Sequence, residues 1–463
     1  MKKKVERSTR ATQKVAIALS GGVDSGVAAG LLVKDGYQVA GFHLHLWSEK
    51  NITPGVDEHS FTNKCCNPES EEAARATAHQ LGIPFYVVHF EKEFKKAVVD
   101  YFLKEYGLGR TPNPCVMCNR LIKFGGLLDY VQKLGYDYLA TGHYARTVLS
   151  GTKGRSFLRE KNLSHISYHL LQAKDELKDQ SYFLYSLTQK QLAHLMFPVG
   201  EMTKKKVYTL AKKWRLPVAK RPESQEVCFY PESNYRPFLK RHIKDKIISG
   251  KVVDTKGNVI GRHNGLPLYT IGQRHGFDIK SKIIKSKHPG GGAKAKDFLP
   301  RGGIQPSVIP PFYVISKDIR KNQLVVGFGR ETEKKEFVVN QLNWINPNIL
   351  ISQYPDIFIR IRHQGELLKC KMQVTPRKTR RGGVARRIGG TPPRWMEGKV
   401  KVTLDHPQRG IAPGQTAVFY RKSKIKSQKF EFKAPPGRAK AFPGGGNQVD
   451  EAFQLLGGGI IEE

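Results

Sequence analysis

The feature that most narrows the fold is the run VAIALSGGVDS, Val15 to Ser25. Its five leading apolar residues do not alternate with polar ones, which predicts a short strand buried on both faces, as in a parallel sheet. Gly21-Gly22 turns the chain, and Gly26 to Lys34 reads as a helix with an apolar face. The pattern then repeats. Gln38 to Leu46 and Phe85 to Phe90 read as strands, and Glu69 to Leu81 as a helix with acidic residues in its first turn. Phe124 to Leu134 reads as a further helix, and Tyr138 to Ala140 leads into Thr141-Gly142-His143. Strands alternating with helices predict an α/β, doubly wound parallel sheet. Ligands of such sheets lie beyond the carboxyl ends of strands, where both SGGVDS and TGHY fall.

The turn chemistry says what that ligand is. Two glycines let the backbone approach a phosphate, and the helix start presents N–H groups to it. Ser20 and Ser25 add donors, and Asp24 is placed to help hold Mg²⁺ with a pyrophosphate. The lysine of G-x-x-x-x-G-K-[ST] is absent, so the kinase-type and GTPase-type reading fails. A plain strand-to-helix turn is the bland alternative. The hexapeptide after VAIAL resembles the PP-loop of ATP pyrophosphatases, which cleave ATP between the α- and β-phosphates and activate a carbonyl oxygen as an adenylate.

Past residue 229 the texture changes to short β-type runs, and from Phe312 onward to FYVIS, QLVVGF, FVV, IFIRIR, KVKVTL and TAVFY. These predict an all-β domain, a small barrel. The expected division is a catalytic domain over 1–228, a small central domain over 229–280 and a C-terminal β-barrel domain over 281–463. Segments 280–310, 375–398 and 422–450 are rich in Lys, Arg, Gly and Pro without periodicity, reading as disordered insertions that either add RNA contacts or are idle. The chain carries 78 basic and 40 acidic residues, a formal charge of +38, which favours a nucleic-acid partner. No apolar run approaches the roughly 18 residues of a membrane span, and the basic N-terminus lacks the apolar core of a signal peptide. A cytoplasmic location, with reduced thiols, is expected.

Six cysteines occur, at 65, 66, 115, 118, 228 and 370. Cys115 and Cys118 form a Cys-x-x-Cys in TPNPCVMCNR, which on spacing alone fits half a zinc site, a redox pair, an iron–sulfur clip or a sulfur carrier. Structural zinc wants four ligands, and neither a second such pair nor a suitably spaced His pair follows. A thioredoxin-like pair opens a helix after a strand, whereas here prolines 112 and 114 predict a loop. Cys228, far downstream in ESQEVCFYP, can meet a loop thiol across a cleft. Cys370 and the Cys65-Cys66 pair read as structural.

SGGVDS, TPNPCVMCNRLIKF, ATGHYAR, KDQSYFLY, ESQEVCFYPESNYRPFL, GLPLYTIGQRHG, FYVISKD, DHPQRGIAPGQTAVFY and GGGII, in that order, resemble the tRNA 2-thiouridylase family over nearly the whole chain apart from the insertions. The resemblance implies ATP-dependent replacement of the 2-oxygen of the tRNA wobble uridine by sulfur. It implies that Cys228 carries a persulfide fed by a sulfur-donor protein. Cys118 would be the nucleophile that attacks it, leaving a transient Cys118–Cys228 disulfide. Nearby Arg120, Lys123 and Arg221 would favour the thiolates. Ala18, Leu19, Ser20, Gly21, Gly22, Val23, Asp24 and Ser25 would hold ATP, with Leu44 beside the adenine and Gly142 as a further contact. Asn113, Pro114 and Cys115 would lie against the target base. Lys178, Asp179, Gln180, Arg362 and His363 would contact tRNA. His143 is an acid–base candidate or a packing residue.

The chain departs from the common pattern in one place. Many family members have Asp-x-x-Cys where this chain has Cys115 before Cys118. Cys115, Cys118 and Cys228 together resemble the three-cysteine set of iron–sulfur-dependent tRNA thiolases, where a [4Fe–4S] cluster keeps one iron open. Persulfide relay and cluster both stand at this point. Two rivals complete the set. Another PP-loop ligase would leave the paired thiols unused, and a non-enzymatic RNA-binding protein would leave SGGVDS unused.

Overall fold

The computed structural model describes residues 13–49, 67–150, 167–221, 227–230, 232–279, 311–347, 354–375, 398–426 and 449–462. The Cys65-Cys66 pair and the three basic segments, apart from their flanks, lie outside these residues. Among the described residues no helix is long and apolar enough to cross a membrane.

The first half alternates as the sequence predicts. β1 (Lys14–Ala18) leads through SGGVDS into α1 (Val23–Lys34), followed by β2 (Gln38–His45), α2 (Pro68–Gln80), β3 (Phe85–His89) and β4 (Tyr138–Ala140). Asn67 caps α2 by accepting from the Ser70 N–H at 2.9 Å, with Pro68 and Glu69 in the first turn. A hairpin of β5 (Ala145–Ser150) and β6 (Ser167–Gln172) then precedes the short β7 (Leu195–Met196). The first sheet is parallel throughout, in the order β3-β2-β1-β4-β7. The order reverses between β1 and β4, which places the ligand crevice beyond their carboxyl ends.

The helix expected from Phe124 starts ten residues earlier. Asn113 accepts from the Val116 N–H, and Pro114 opens a helical turn, Pro114–Met117. This turn runs into a widened π-helical stretch, Cys118–Leu127, and then Leu128–Lys133. Cys-x-x-Cys therefore opens a helix. Proline at the first helical position is compatible with a helix start because its missing N–H has no partner to lose there. The loop inferred from these prolines is corrected accordingly.

The central sheet has the order β10-β9-β8-β12-β11, from β8 (Gly250–Val253), β9 (Val259–His263), β10 (Asp278–Ile279), β11 (Tyr313–Asp318) and β12 (Gln323–Gly327). FYVIS and QLVVGF, read from sequence as barrel strands, thus belong here, with β12 parallel to β8. Their alternation predicts strands but says nothing of which sheet they join.

β13 (Glu333–Trp344), β14 (Ile357–Arg360), β15 (Leu368–Thr375), β16 (Lys399–Arg409), β17 (Thr416–Lys426) and β18 (Val449–Ile461) form the C-terminal barrel. Pairing of β13 with β18 closes the six antiparallel strands. β6 adds onto β18 through Leu170 and Leu171, so the β5–β6 hairpin of the first half extends the last sheet.

The cores cross these boundaries. Phe42, Phe124, Leu139 and Tyr182 pack in one cluster with Val418, Tyr420 and Leu455 of the barrel. Phe94, Phe102, Cys118 and Phe229 share another with Val252, Leu324 and Val326 of the central sheet. Burial of this apolar surface, worth about 25 cal/mol per Å², holds the three sheets together.

Candidate active site

Gly21 of the phosphate loop has φ +74°, and a Cβ there would sit 2.2 Å from the Ser70 carbonyl at the start of α2. Only glycine fits both demands. Arg221 fastens the same helix start, donating to Glu69 O and to Ser70 Oγ at 3.2 Å. This places its guanidinium beside the phosphate loop. The Ser25 hydroxyl donates to Gly22 O at 3.0 Å and lies 3.2 Å from Ser20 Oγ, bracing the turn across its width.

TGHY closes over this loop. A Cβ on Gly142 would lie 2.6 Å from Ser25 N and 2.8 Å from Asp24 C. Thr141 and His143 are joined by a 2.8 Å hydrogen bond through Nδ1, and the ring packs 5.6 Å from Phe124. Burial, assisted by the Lys123 charge, holds the His143 pKa well below its ordinary range, so its imidazole is neutral. Leu44, at the carboxyl end of β2, packs against both clusters that wall the crevice.

Asp24, expected to help hold Mg²⁺, accepts from Tyr144 Oη at 2.8 Å and from Lys204 Nζ at 2.8 Å on each carboxylate oxygen. The carboxylate keeps 29 % of its surface exposed. It fits a cation there, in competition with the Lys204 ammonium.

The cysteines divide by burial. Cys115 is exposed, Cys118 buried and Cys228 half-buried. Cys118 belongs to the apolar cluster shared with the central sheet, and Cys228 packs against that same cluster. Phe229 anchors the Cys228 segment, its ring 5.1 Å from Phe102 and 6.0 Å from Phe94. Among the described residues no three cysteines bring their sulfur atoms within 4.8 Å of one another. Burial pushes the Cys370 thiol up to about 12, fitting an inert strand residue.

The loop before Cys115 is gripped by both other units. The Thr111 N–H donates to Pro413 O at 2.9 Å, and Gln415 Nε2 donates to Thr111 O at 3.2 Å. From the central sheet, Lys317 Nζ donates to Gly109 O at 2.8 Å.

Comparison with known proteins agrees with this geometry. The tRNA methyl transferase HUP domain family matches residues 13–232, its PRC-barrel domain residues 236–289, and the aminomethyltransferase beta-barrel domain residues 393–425. The tRNA-specific 2-thiouridylase MnmA of Roseiflexus castenholzii is 38% identical over 409 residues, covering 88% of this chain and 96% of its own. That of Carboxydothermus hydrogenoformans is also 38% identical over 409 residues, covering 88% and 94%. The chain belongs to the tRNA-specific 2-thiouridylase family.

In this 2-thiouridylase the residues expected to face tRNA occupy one neighbourhood. Gln364 Nε2 donates to Leu177 O at 3.2 Å, which sets Arg362-His363 beside Lys178-Asp179-Gln180. Arg362 is exposed, while the His363 ring lies 4.4 Å from Phe183. Asp179 differs. Its carboxylate is enclosed, accepting from Arg360 Nη1 (2.8 Å), Ser181 Oγ (2.9 Å), Gln172 Nε2 (3.1 Å) and the Ala173 N–H (3.0 Å). Gln180 Oε1 likewise turns inward, to the Tyr144 N–H. Sequence reasoning missed Lys204, Tyr144, Arg360 and Lys317, because each acts across a distance that no local motif spans. For Lys204 the one local signal was an N-capping Thr203 at the start of a helix.

Proposed function

We propose that this chain is a tRNA-uridine 2-sulfurtransferase that thiolates the wobble uridine, using ATP with Mg²⁺ and a cysteine persulfide. One observation carries the sulfur route: Cys118 lies in the apolar cluster against which both Cys228 and Leu44, at the carboxyl end of β2, pack. The C2 carbonyl of uracil is urea-like and a poor electrophile. Attack of its oxygen on the α-phosphorus expels pyrophosphate and turns that oxygen into part of a leaving group. The loop amides would stabilise the charge that develops on phosphate, with the Lys204 ammonium close by on Asp24. Cys228 receives a sulfane sulfur from a donor protein. The Cys118 thiolate then attacks Sγ of the Cys228 persulfide, and the S–S bond to the outer sulfur breaks with its electron pair leaving on that sulfur. The released hydrosulfide adds to C2, and AMP departs with the original oxygen. A Cys118–Cys228 disulfide remains and takes two electrons from an external thiol reductant before the next turn. The carboxylate common at position 115 is absent, and the neutral His143, next to the Gly142 that meets the phosphate loop, is a candidate proton acceptor in its place.

The tRNA would lie across Lys178 and Arg362, with the buried Asp179–Arg360 pair holding their loops in place. The family resemblance, the charge of +38 and the phosphate loop support this reading over a non-enzymatic RNA-binding role.

The deciding experiment compares Cys118→Ser, Cys228→Ser and Cys115→Asp on chain purified without oxygen. The relay predicts that both serine variants lose 2-thiouridine formation but still bind tRNA and release pyrophosphate, that Cys115→Asp stays active, and that iron is absent. Stoichiometric iron and sulfide lost in Cys115→Asp would replace the relay with a [4Fe–4S] cluster on Cys115, Cys118 and Cys228. No AMP release with any tRNA would sink the function itself.

A further inference from the structure

His45 and His89 are register partners on the neighbouring parallel strands β2 and β3, each at its carboxyl end. Their side chains therefore leave the sheet on the same face, with ring centroids 5.2 Å apart. Two residues beyond β3, Glu91 turns back between them. Its Oε1 lies 2.6 Å from His45 Nδ1 and 2.9 Å from His89 Nδ1. One ligand atom from each of the three side chains falls within 4.8 Å of the other two. Among the described residues this is the only group of His, Cys, Asp and Glu that converges so closely.

We propose that His45, His89 and Glu91 bind a divalent transition-metal ion of the zinc class. Two imidazole nitrogens and a carboxylate oxygen form a set used by open zinc sites, where a fourth position is left to water or substrate. The set argues against Ca²⁺ and Mg²⁺, which take oxygen ligands almost throughout. Bonds of about 2.0–2.2 Å to a tetrahedral ion hold ligand atoms about 3.4 Å apart. The two measured N···O pairs reach that by opening less than 1 Å, which side-chain rotation supplies. The imidazoles are 23% and 67% exposed and the carboxylate 37%, so an ion enters from solvent and keeps a face open to it. The site lies on β2 and β3 at the strand-end edge that carries the phosphate loop after the adjacent β1, and it shares no residue with the Asp24 position. It is independent of the thiolation reading.

The ordinary alternative is a carboxylate bridging two imidazoles by hydrogen bonds with no metal. Cobalt(II) titration of the untagged, chelator-treated full chain separates the two. The proposal expects one tightly bound cobalt per chain with intense ligand-field bands and no thiolate-to-cobalt charge transfer, displaced by zinc. His45→Ala and His89→Ala should each weaken it by at least the roughly 10–100-fold that loss of an outer-shell partner costs. Glu91→Gln, which keeps the side-chain shape, should do the same, while a Cys115→Ser/Cys118→Ser chain retains the spectrum. Undiminished binding in the His89→Ala chain, whose substitution is at a surface position, overturns the proposal. So does a cobalt spectrum that vanishes with the cysteines, or no tight cobalt binding at all.

Discussion

Lys204 Nζ sits 2.8 Å from both carboxylate oxygens of Asp24, joining the helix Lys204–Lys213 to the first turn of α1. The ammonium is nearly buried and also lies 5.1 Å over the Tyr208 ring, so its position is fixed. It brings a positive charge to the first turn of α1, where the chain lacks a Walker lysine. A hydrogen bond to a charged group contributes about 1.5–3 kcal/mol. Lys204→Met is therefore expected to lower kcat/KM for ATP by about 10- to 100-fold, read as tRNA-stimulated pyrophosphate release at varied ATP. Lys204→Arg, which keeps the charge, should recover part of the loss. Unchanged ATP dependence in Lys204→Met would mean the lysine only neutralises Asp24.

Gly142 tests the closure of TGHY over the loop. The added methyl of Gly142→Ala meets backbone atoms of Asp24 and Ser25 at 2.6–2.8 Å, where no side chain can swing away. The phosphate loop must shift, and a misplacement near 1 Å costs on the order of 100-fold in rate. The variant should fold with a melting temperature close to wild type and lose that factor in kcat/KM for ATP. Wild-type kinetics would show that ATP binds without using this approach.

Asp179 and Arg360 join the first half of the chain to the barrel through a buried pair. Removing one partner of such a pair strands the other charge, at a cost of about 3–5 kcal/mol. Arg360→Met should lower the urea midpoint accordingly, and Asp179→Asn should do so to a similar or smaller degree because its backbone and Ser181 partners remain. If instead Asp179→Asn weakens tRNA binding without moving the midpoint, the carboxylate serves RNA directly, as the family resemblance implied.

The parts legible in the sequence are those written in local chemistry. VAIAL, the Gly21-Gly22 turn and the acidic start of α2 each declare their element within a few residues, and the sheet that they imply is the one formed. Asn113 and Pro114 also carry a helix-start signal, but prolines 112 and 114 so close together predict a loop, since proline breaks helices everywhere except the first turn. The pairing of β12 with β8 and of β6 with β18 was not legible, because strand patterns set which face is buried and leave the partner open. The same limit hid Lys204, which reaches Asp24 across most of the first domain.

The last prediction concerns Lys317, which reaches from β11 to Gly109 O and so braces the loop that leads to Cys115. Burial pushes its amine down to about 7. In the unfolded chain the amine titrates near 10.4. Between these values the unfolded chain binds the proton that the folded chain has released, so stability rises with pH from about 7 to about 10. The gain is fully present above the unfolded pKa and is lost as pH falls toward 7, below which both states are protonated. The contribution to the slope reaches at most about 1.4 kcal/mol per pH unit. Lys317→Met, which keeps the stem and removes the titrating group, should flatten the urea midpoint across this window while losing the bond to Gly109. Activity should fall with it if the brace sets the Cys115–Cys118 turn. A midpoint profile identical to wild type would mean that the amine is solvated and ordinary.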